Sequence, residues 1–222
     1  MTRETFEGLV SDFGDLLWAV GARVAGVGFQ LARRAMLDRE LSVIALDSSE
    51  DGLSRLRQSL AIDALQRVTI VHAPMEDAPV RLGRMCAAGV DVVNASFALP
   101  FCTPGRFGAL WNWIEQVLRP GGRVHCCVPN MRHIENLEHL VLTGDWRYEE
   151  HGVRDRTHLR FFTEKSLRRL FEDAGYRVIE MTGINESWWA PEHRLRRLLF
   201  RLFPRFTRDM RFVQILVIGE PC

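Results

Sequence analysis

A chain of 222 residues, 47% apolar and 26% charged, is long enough to bury a sizeable core, most simply as one α/β domain with elaborations. Its formal net charge of +1 excludes a global electrostatic pull toward nucleic acid or acidic partners. No apolar run approaches the ~18 residues of a membrane span.

The opening "MTRETFEGLVSDFGD" is acidic and polar and lacks a signal peptide's apolar stretch. The five cysteines are odd in number, and no pair has Cys-x-x-Cys spacing. Reduced thiols and a cytoplasmic location are therefore expected. Cys126 and Cys127 are adjacent in "GRVHCCVPN", so in a strand they point to opposite faces. His125 and His133 lie close enough in sequence to raise a metal site, but the spacing favours residues packed in and beside a strand, and no metal is expected.

The chain alternates short β-rich runs with amphipathic helices, the signature of a parallel sheet. The first expected strand is "DLLWAV" (15–20), followed by a loop at "GARVAGVG" and a helix at "FQLARRAM". "LSVIALD" (41–47) is the second strand. "SSEDGLSRLRQSLAI" is a helix with Ser49 as a candidate N-cap and acidic residues in its first turn. "RVTIVHA" (67–73) and "VDVVNASF" (90–97) follow as strands. In "GRFGALWNWIEQVLRPGG", Phe107, Leu110, Trp111, Ile114, Val117 and Leu118 recur at helical spacing. Pro120-Gly121-Gly122 is expected to stop that helix and turn the chain into "GRVHCCVP" (122–129). In "TEKSLRRLFEDAGY", Thr163 is placed to cap a helix, with Leu167, Leu170, Phe171 and Ala174 facing inward and Gly175 ending it. "YRVIEMTG" (176–183) and "RFVQILVIG" (211–219) complete the strands.

Two segments break the rhythm, residues 130–162 and 184–210. Insertions of that size at the carboxyl ends of strands commonly build the substrate side of an open α/β site. The first is expected to act as a solvated lid. Its Asp145, Glu149, Glu150, His151, Asp155 and His158 match no specific metal spacing. The second contains a stretch from Pro191 to Phe212 with seven arginines against Glu192 and Asp209. An apolar stripe runs beside them at Leu195, Leu198, Leu199, Leu202 and Phe203. Two readings stay open: a cap packed on the domain, or peripheral contact with an anionic membrane through 191–212. Trp188 and Trp189 either stack on a sugar or acyl group or bury the cap.

Glycines permit a sharp turn and close backbone approach to a ligand at the first strand-to-helix turn. Gly21, Gly26 and Gly28 supply part of this, and Arg23 and Val24 do not. Asp47 ends the second strand nineteen residues past Gly28, about the spacing of a ribose-binding acid. It is placed to accept hydrogen bonds from both ribose hydroxyls, or to serve as the anion at the next helix's N-terminus.

These features, with "VIALDSS", "VDVVNASFALPF", "VLRPGGRVHCCVPN" and "DRTHLRFFTEKSLRRLFEDAGYRVIEM", resemble the class I S-adenosylmethionine-dependent methyltransferases. The last stretch is similar to bacterial small-molecule and glycan-associated members. The likeness covers roughly residues 14–183 and the final strand. It implies an α/β, Rossmann-like seven-stranded sheet of order 3-2-1-4-5-7-6 with strand seven antiparallel and helices on both faces. One domain over 1–222 is expected, with the insertions at about 130–162 and 184–210. The implied cofactor is S-adenosyl-L-methionine. Its contacts carry over onto Gly21 and Gly26 in the first loop and Asp47 at the ribose. Met75 and Glu76 fall at the adenine, and Asn94, Ala95 and Ser96 beside the methyl donor. The family's first loop commonly reads as an acid, an apolar residue and Gly-x-Gly-x-Gly. Here Ala19 stands for the acid and Arg23 and Ala25 for two glycines. Pro74 stands where an adenine-contacting acid often occurs.

Methyl transfer is an in-line displacement, so the protein must orient the acceptor and, where needed, remove a proton. His158 is the candidate base because imidazole titrates near working pH. Arg160 is placed to hold an anionic or polyhydroxyl substrate, and Asp155 to orient the histidine. The alternative makes this segment a packed loop with Phe161 and Phe162 as core. The expected activity is biosynthetic O- or N-methylation of a small-molecule or glycan- or lipid-linked acceptor, with no nucleic-acid partner. The alternative is a methyltransferase-fold protein without transfer activity, serving as scaffold, partner subunit or repurposed catalyst.

Overall fold

The computed structural model describes residues 23–27, 42–47, 50–73, 77–95, 99–150, 152–187 and 194–222. The strands are β1 (Arg23–Val27), β2 (Ser42–Asp47), β3 (Val68–His72), β4 (Val90–Asn94), β5 (Leu118–Pro129), β6 (Tyr176–Glu186) and β7 (Phe212–Pro221). They form one sheet in the order β3-β2-β1-β4-β5-β7-β6. The first five run parallel, and β7 lies antiparallel between β5 and β6.

The first strand differs from the expectation. Arg23–Val27 pairs residue for residue with Ser42–Leu46 on one side, and Val24–Gly26 pairs with Val92–Asn94 on the other. "DLLWAV" (15–20) lies outside the described residues. Arg23–Val27, expected in the loop, is strand: pairing with neighbours on both sides decides what a short apolar run leaves open. Consequently Arg23 and Ala25 are strand residues. They do not stand in the place of loop glycines.

The helices are α1 (Glu50–Ser59), α2 (Ile62–Leu65), α3 (Ala78–Leu82), α4 (Pro104–Val117), α5 (Ile134–Glu138), α6 (Glu164–Asp173), α7 (Arg194–Leu202) and α8 (Pro204–Thr207). In α4, Leu110, Trp111, Ile114 and Val117 are buried at the expected spacing. α6 begins with a capping box, in which the Ser166 N–H donates to Thr163 Oγ1 at 3.2 Å and the Thr163 N–H to Ser166 Oγ at 2.9 Å. Leu167 and Phe171 are its buried face. Trp111 meets Phe171 edge-on at 5.2 Å and Tyr176 at 5.5 Å, joining α4, α6 and β6. Such aromatic pairs contribute about 1 kcal/mol beyond their buried area.

The turn at Pro120-Gly121-Gly122 also differs. β5 begins at Leu118, opposite Val90, and its register jumps so that Arg123 opposes Val92. The intervening residues form a bulge rather than a link between helix and strand. Gly121 takes a positive φ of 77°. A Cβ at Gly122 would lie 2.8 Å from the Arg119 carbonyl oxygen. Beyond the bulge, Cys126 and Cys127 are both fully buried in β5.

Candidate active site

β1 leads to β2 on one side, and β4 leads to β5 on the other. The chain therefore departs in opposite directions from two adjacent strands, which opens a crevice beyond their carboxyl ends. Gly26 lies in β1 between Ala45 and Asn94, presenting no side chain there. Asn94 ends β4 fully buried, opposite His125 of β5, itself only 4% exposed. A buried carboxamide at the end of β4, beside a buried imidazole in β5, makes this a polar spot within a valine-rich part of the sheet. Asp47 ends β2, with His72 opposite it in β3. Gly21, Met75, Glu76 and Ser96 lie outside the described residues, as do Ser49, Trp188 and Trp189.

The insertion 130–162 folds back on the segment that leaves β4. The N–H groups of Leu159 and Arg160 both donate to the Pro100 carbonyl, at 2.7 and 3.1 Å. This brings His158 against Phe101, with ring centroids 4.9 Å apart. His158 is 8% exposed. Burial pushes its pKa below the ordinary imidazole value, while Asp155 and a hydrogen bond to the Val153 backbone act in the opposite direction. The imidazole is thus held neutral near pH 7, the form that accepts a proton.

Asp155 accepts from the Thr157 N–H at 2.7 Å, closing a turn, and acts on His158 through its charge. The hydrogen bond that holds the ring is to the Val153 backbone. Arg160 donates from Nε to the Cys102 carbonyl at 3.2 Å and lies 4.2 Å over the Phe107 ring. These contacts fix Arg160 to the start of α4. Phe162 is core, whereas Phe161 is exposed.

The remainder of the insertion is stitched by ion pairs. Asp145 pairs with Arg147, Glu149 with Arg154 and Glu150 with Arg156. His133 places Nε2 at 3.1 Å from the Ser187 carbonyl, and burial lowers its pKa. No group of three or more His, Cys, Asp or Glu able to hold a metal occurs among the described residues.

Asn130 was not singled out from the sequence. Fully buried at the end of β5, it donates from Nδ2 to the carbonyls of Asp209 and Phe212 at 2.7 and 2.9 Å. Its Oδ1 accepts from the Arg132 N–H at 3.0 Å. One side chain thereby ties the start of the insertion to the start of β7. An Asn directly after an apolar strand was the available signal.

Two family models, each of a methyltransferase domain, match residues 24–126 and 101–181. Together the two matches run from β1 into β6, so the chain carries methyltransferase-domain sequence over residues 24–181. Among solved structures, this methyltransferase is similar to a SAM-dependent methyltransferase from Archaeoglobus fulgidus. Identity is 13% over 98% of this chain and 94% of that one, with a TM-score of 0.59. An O-methyltransferase family protein from Burkholderia thailandensis has 17% identity over 98% of this chain and 55% of its own, with a TM-score of 0.59. The glycopeptide N-methyltransferase MtfA, solved with S-adenosyl-L-methionine, has 15% identity over 97% and 87%, with a TM-score of 0.57. At these identities the likeness is one of fold. No curated protein matches the chain in sequence.

Proposed function

We propose that this methyltransferase moves the methyl group of S-adenosylmethionine to an oxygen or nitrogen of a small-molecule or glycan- or lipid-linked acceptor. The observation that carries this is His158, held neutral on a wall built against the segment leaving β4, at the carboxyl end of the sheet where the crevice opens. The fit of the crevice is supported by Gly26, which leaves backbone approachable, and by buried Asn94 beside it. In this reading Gly26 and Asn94 border the cofactor, and Asp47 holds its ribose. Gly21, Met75, Glu76 and Ser96 complete that set by resemblance. When bound, the cofactor supplies an electrophilic methyl on a sulfonium.

The chain's own contribution is positioning and a proton acceptor. His158 takes the acceptor's proton at its free ring nitrogen, Asp155 favours the imidazolium that results, and Arg160 keeps the wall in register. The likeness in fold to an O-methyltransferase family protein and to a glycopeptide N-methyltransferase supports both atom types. Arg23 and Ala25 belong to β1 rather than to the loop that follows it. The test is calorimetric titration with S-adenosylmethionine and S-adenosylhomocysteine, with Asp47→Ala as the comparison. Micromolar binding, lost in the variant, is expected. Absence of binding by folded protein at millimolar ligand overturns the proposal.

A further inference from the structure

α5 and the π-helical turn His139–Thr143 face α7 and α8 across a groove of about 700 Å³. Val141, Leu142, Leu195, Leu202, Phe203 and Phe206 line it, and each is more than half exposed, Leu195 to 81%. Single exposed apolar side chains are ordinary, but a contiguous patch marks a surface that something covers.

The charges beside the groove are ordered. On α7, Leu195, Leu198, Leu199 and Leu202 share one face, and Arg194, Arg197 and Arg201 share the adjoining flank. Arg196 and Phe200 turn inward and are buried. Arg196 Nε donates to Glu138 Oε1 at 2.6 Å, which consumes the acid nearest the groove. Arg132, Arg208 and Arg211 are likewise paired, with Asp209, Glu164 and Glu186. Arg194, Arg201 and Arg205 are exposed and have no carboxylate partner among the described residues. An exposed apolar face bordered by uncompensated arginines is complementary to hydrocarbon overlaid by negative charge. A second copy of the chain would set the same arginines against one another.

We infer that the α7–α8 face docks this protein on an anionic lipid bilayer, with the leucines and phenylalanines in the acyl boundary and the arginines at the phosphates. The groove lies at the same end of the sheet as the crevice. The Ile134 N–H, a few residues past β5, donates to the Met210 carbonyl at 2.8 Å, fixing the groove's floor to that end. Docking therefore turns the crevice toward the headgroup layer. Presentation of a lipid-linked acceptor there rests on the methyl-transfer reading; docking itself needs neither cofactor nor acceptor.

The experiment is co-sedimentation of the full chain with vesicles of phosphatidylcholine alone or mixed with phosphatidylglycerol, at low and high salt. Binding to the mixed vesicles alone, weakened by salt, is expected. Neutralising Arg194, Arg201 and Arg205 to glutamine lowers partitioning about fivefold per charge. Leu195→Ser with Leu202→Ser lowers it further, and both variant sets keep the parent melting curve because the changed residues are exposed. Equal binding to both vesicle types, or none to the mixed vesicles at low salt, overturns the proposal. So does a stable dimer in solution that the leucine variant splits, which would give the face to a second copy.

Discussion

Two regions at one end of the sheet dispose of their polar and apolar groups in opposite ways. Around His158 a polar group is turned inward: the imidazole is buried against the Phe101 ring and hydrogen-bonded to the Val153 backbone. Along α7 and α8 the apolar groups are turned outward and wet, and the one buried arginine serves as an anchor. Burial near His158 sets a protonation state. Exposure along α7 forgoes about 2 kcal/mol for each large apolar side chain left in water. The first arrangement suits chemistry and the second suits adhesion.

The most severe break of that contrast is His158→Asn, which removes the proton acceptor but keeps the ring's neighbours. Turnover, read as S-adenosylhomocysteine released with an acceptor present, should fall about 100-fold or more, while cofactor affinity measured by calorimetry stays at the parent value. Equal losses in both would assign His158 to binding.

Next in size is Arg196→Met, which undocks α7 from α5. Losing a charged hydrogen-bonded pair with Glu138 should cost about 2 kcal/mol, read in urea denaturation, with the His158 region unaffected. An unchanged midpoint would mean that Ile134, Phe200 and Met210 hold the helix alone.

A smaller effect is expected from acid. Burial lowers the pKa of both His133 and His158, so below the ordinary imidazole value near 6.5 the unfolded chain binds more protons than the folded one. Stability is therefore full above that pH and is lost as pH falls toward the folded-state values. Thermal midpoints measured between about pH 7 and about pH 5 should fall, and less steeply in His158→Asn.

The smallest effect is Leu202→Ser, expected to leave stability within about 0.5 kcal/mol because the side chain is 60% exposed. A large loss in the free protein would show the groove to be core, ending the contrast.

Much of the fold was legible because strands β2 to β7 are apolar runs punctuated by turn residues, and because helices such as α4 and α6 keep a clear period and a cap. β1 was not, since "RVAGV" is short and apolar and only its pairing with β2 and β4 shows it to be a strand. At the site, spacing pointed to Asp47 and the family resemblance to Asn94, and both end strands, while His158 was offered for its imidazole chemistry. Sequence could not show that Arg160 is held by the Cys102 carbonyl, nor that Asn130 bonds to residues roughly eighty positions away. Nor could it sort the arginines of α7: Arg196 looks like its neighbours until Glu138 arrives from another helix. Val141 and Leu142, assigned to a solvated lid, form one side of an apolar groove for the same reason.

The insertion of β7 between β5 and β6 has a bearing on how the protein is made. Both neighbours leave the ribosome first, and each carries an open hydrogen-bonding edge until Phe212–Pro221 follows. Among the described residues β6 pairs with no other strand. Emergence of β7, rather than of the crevice, is thus the event that closes the sheet, and a chain stalled before β7 presents two sticky edges to its neighbours on the polysome.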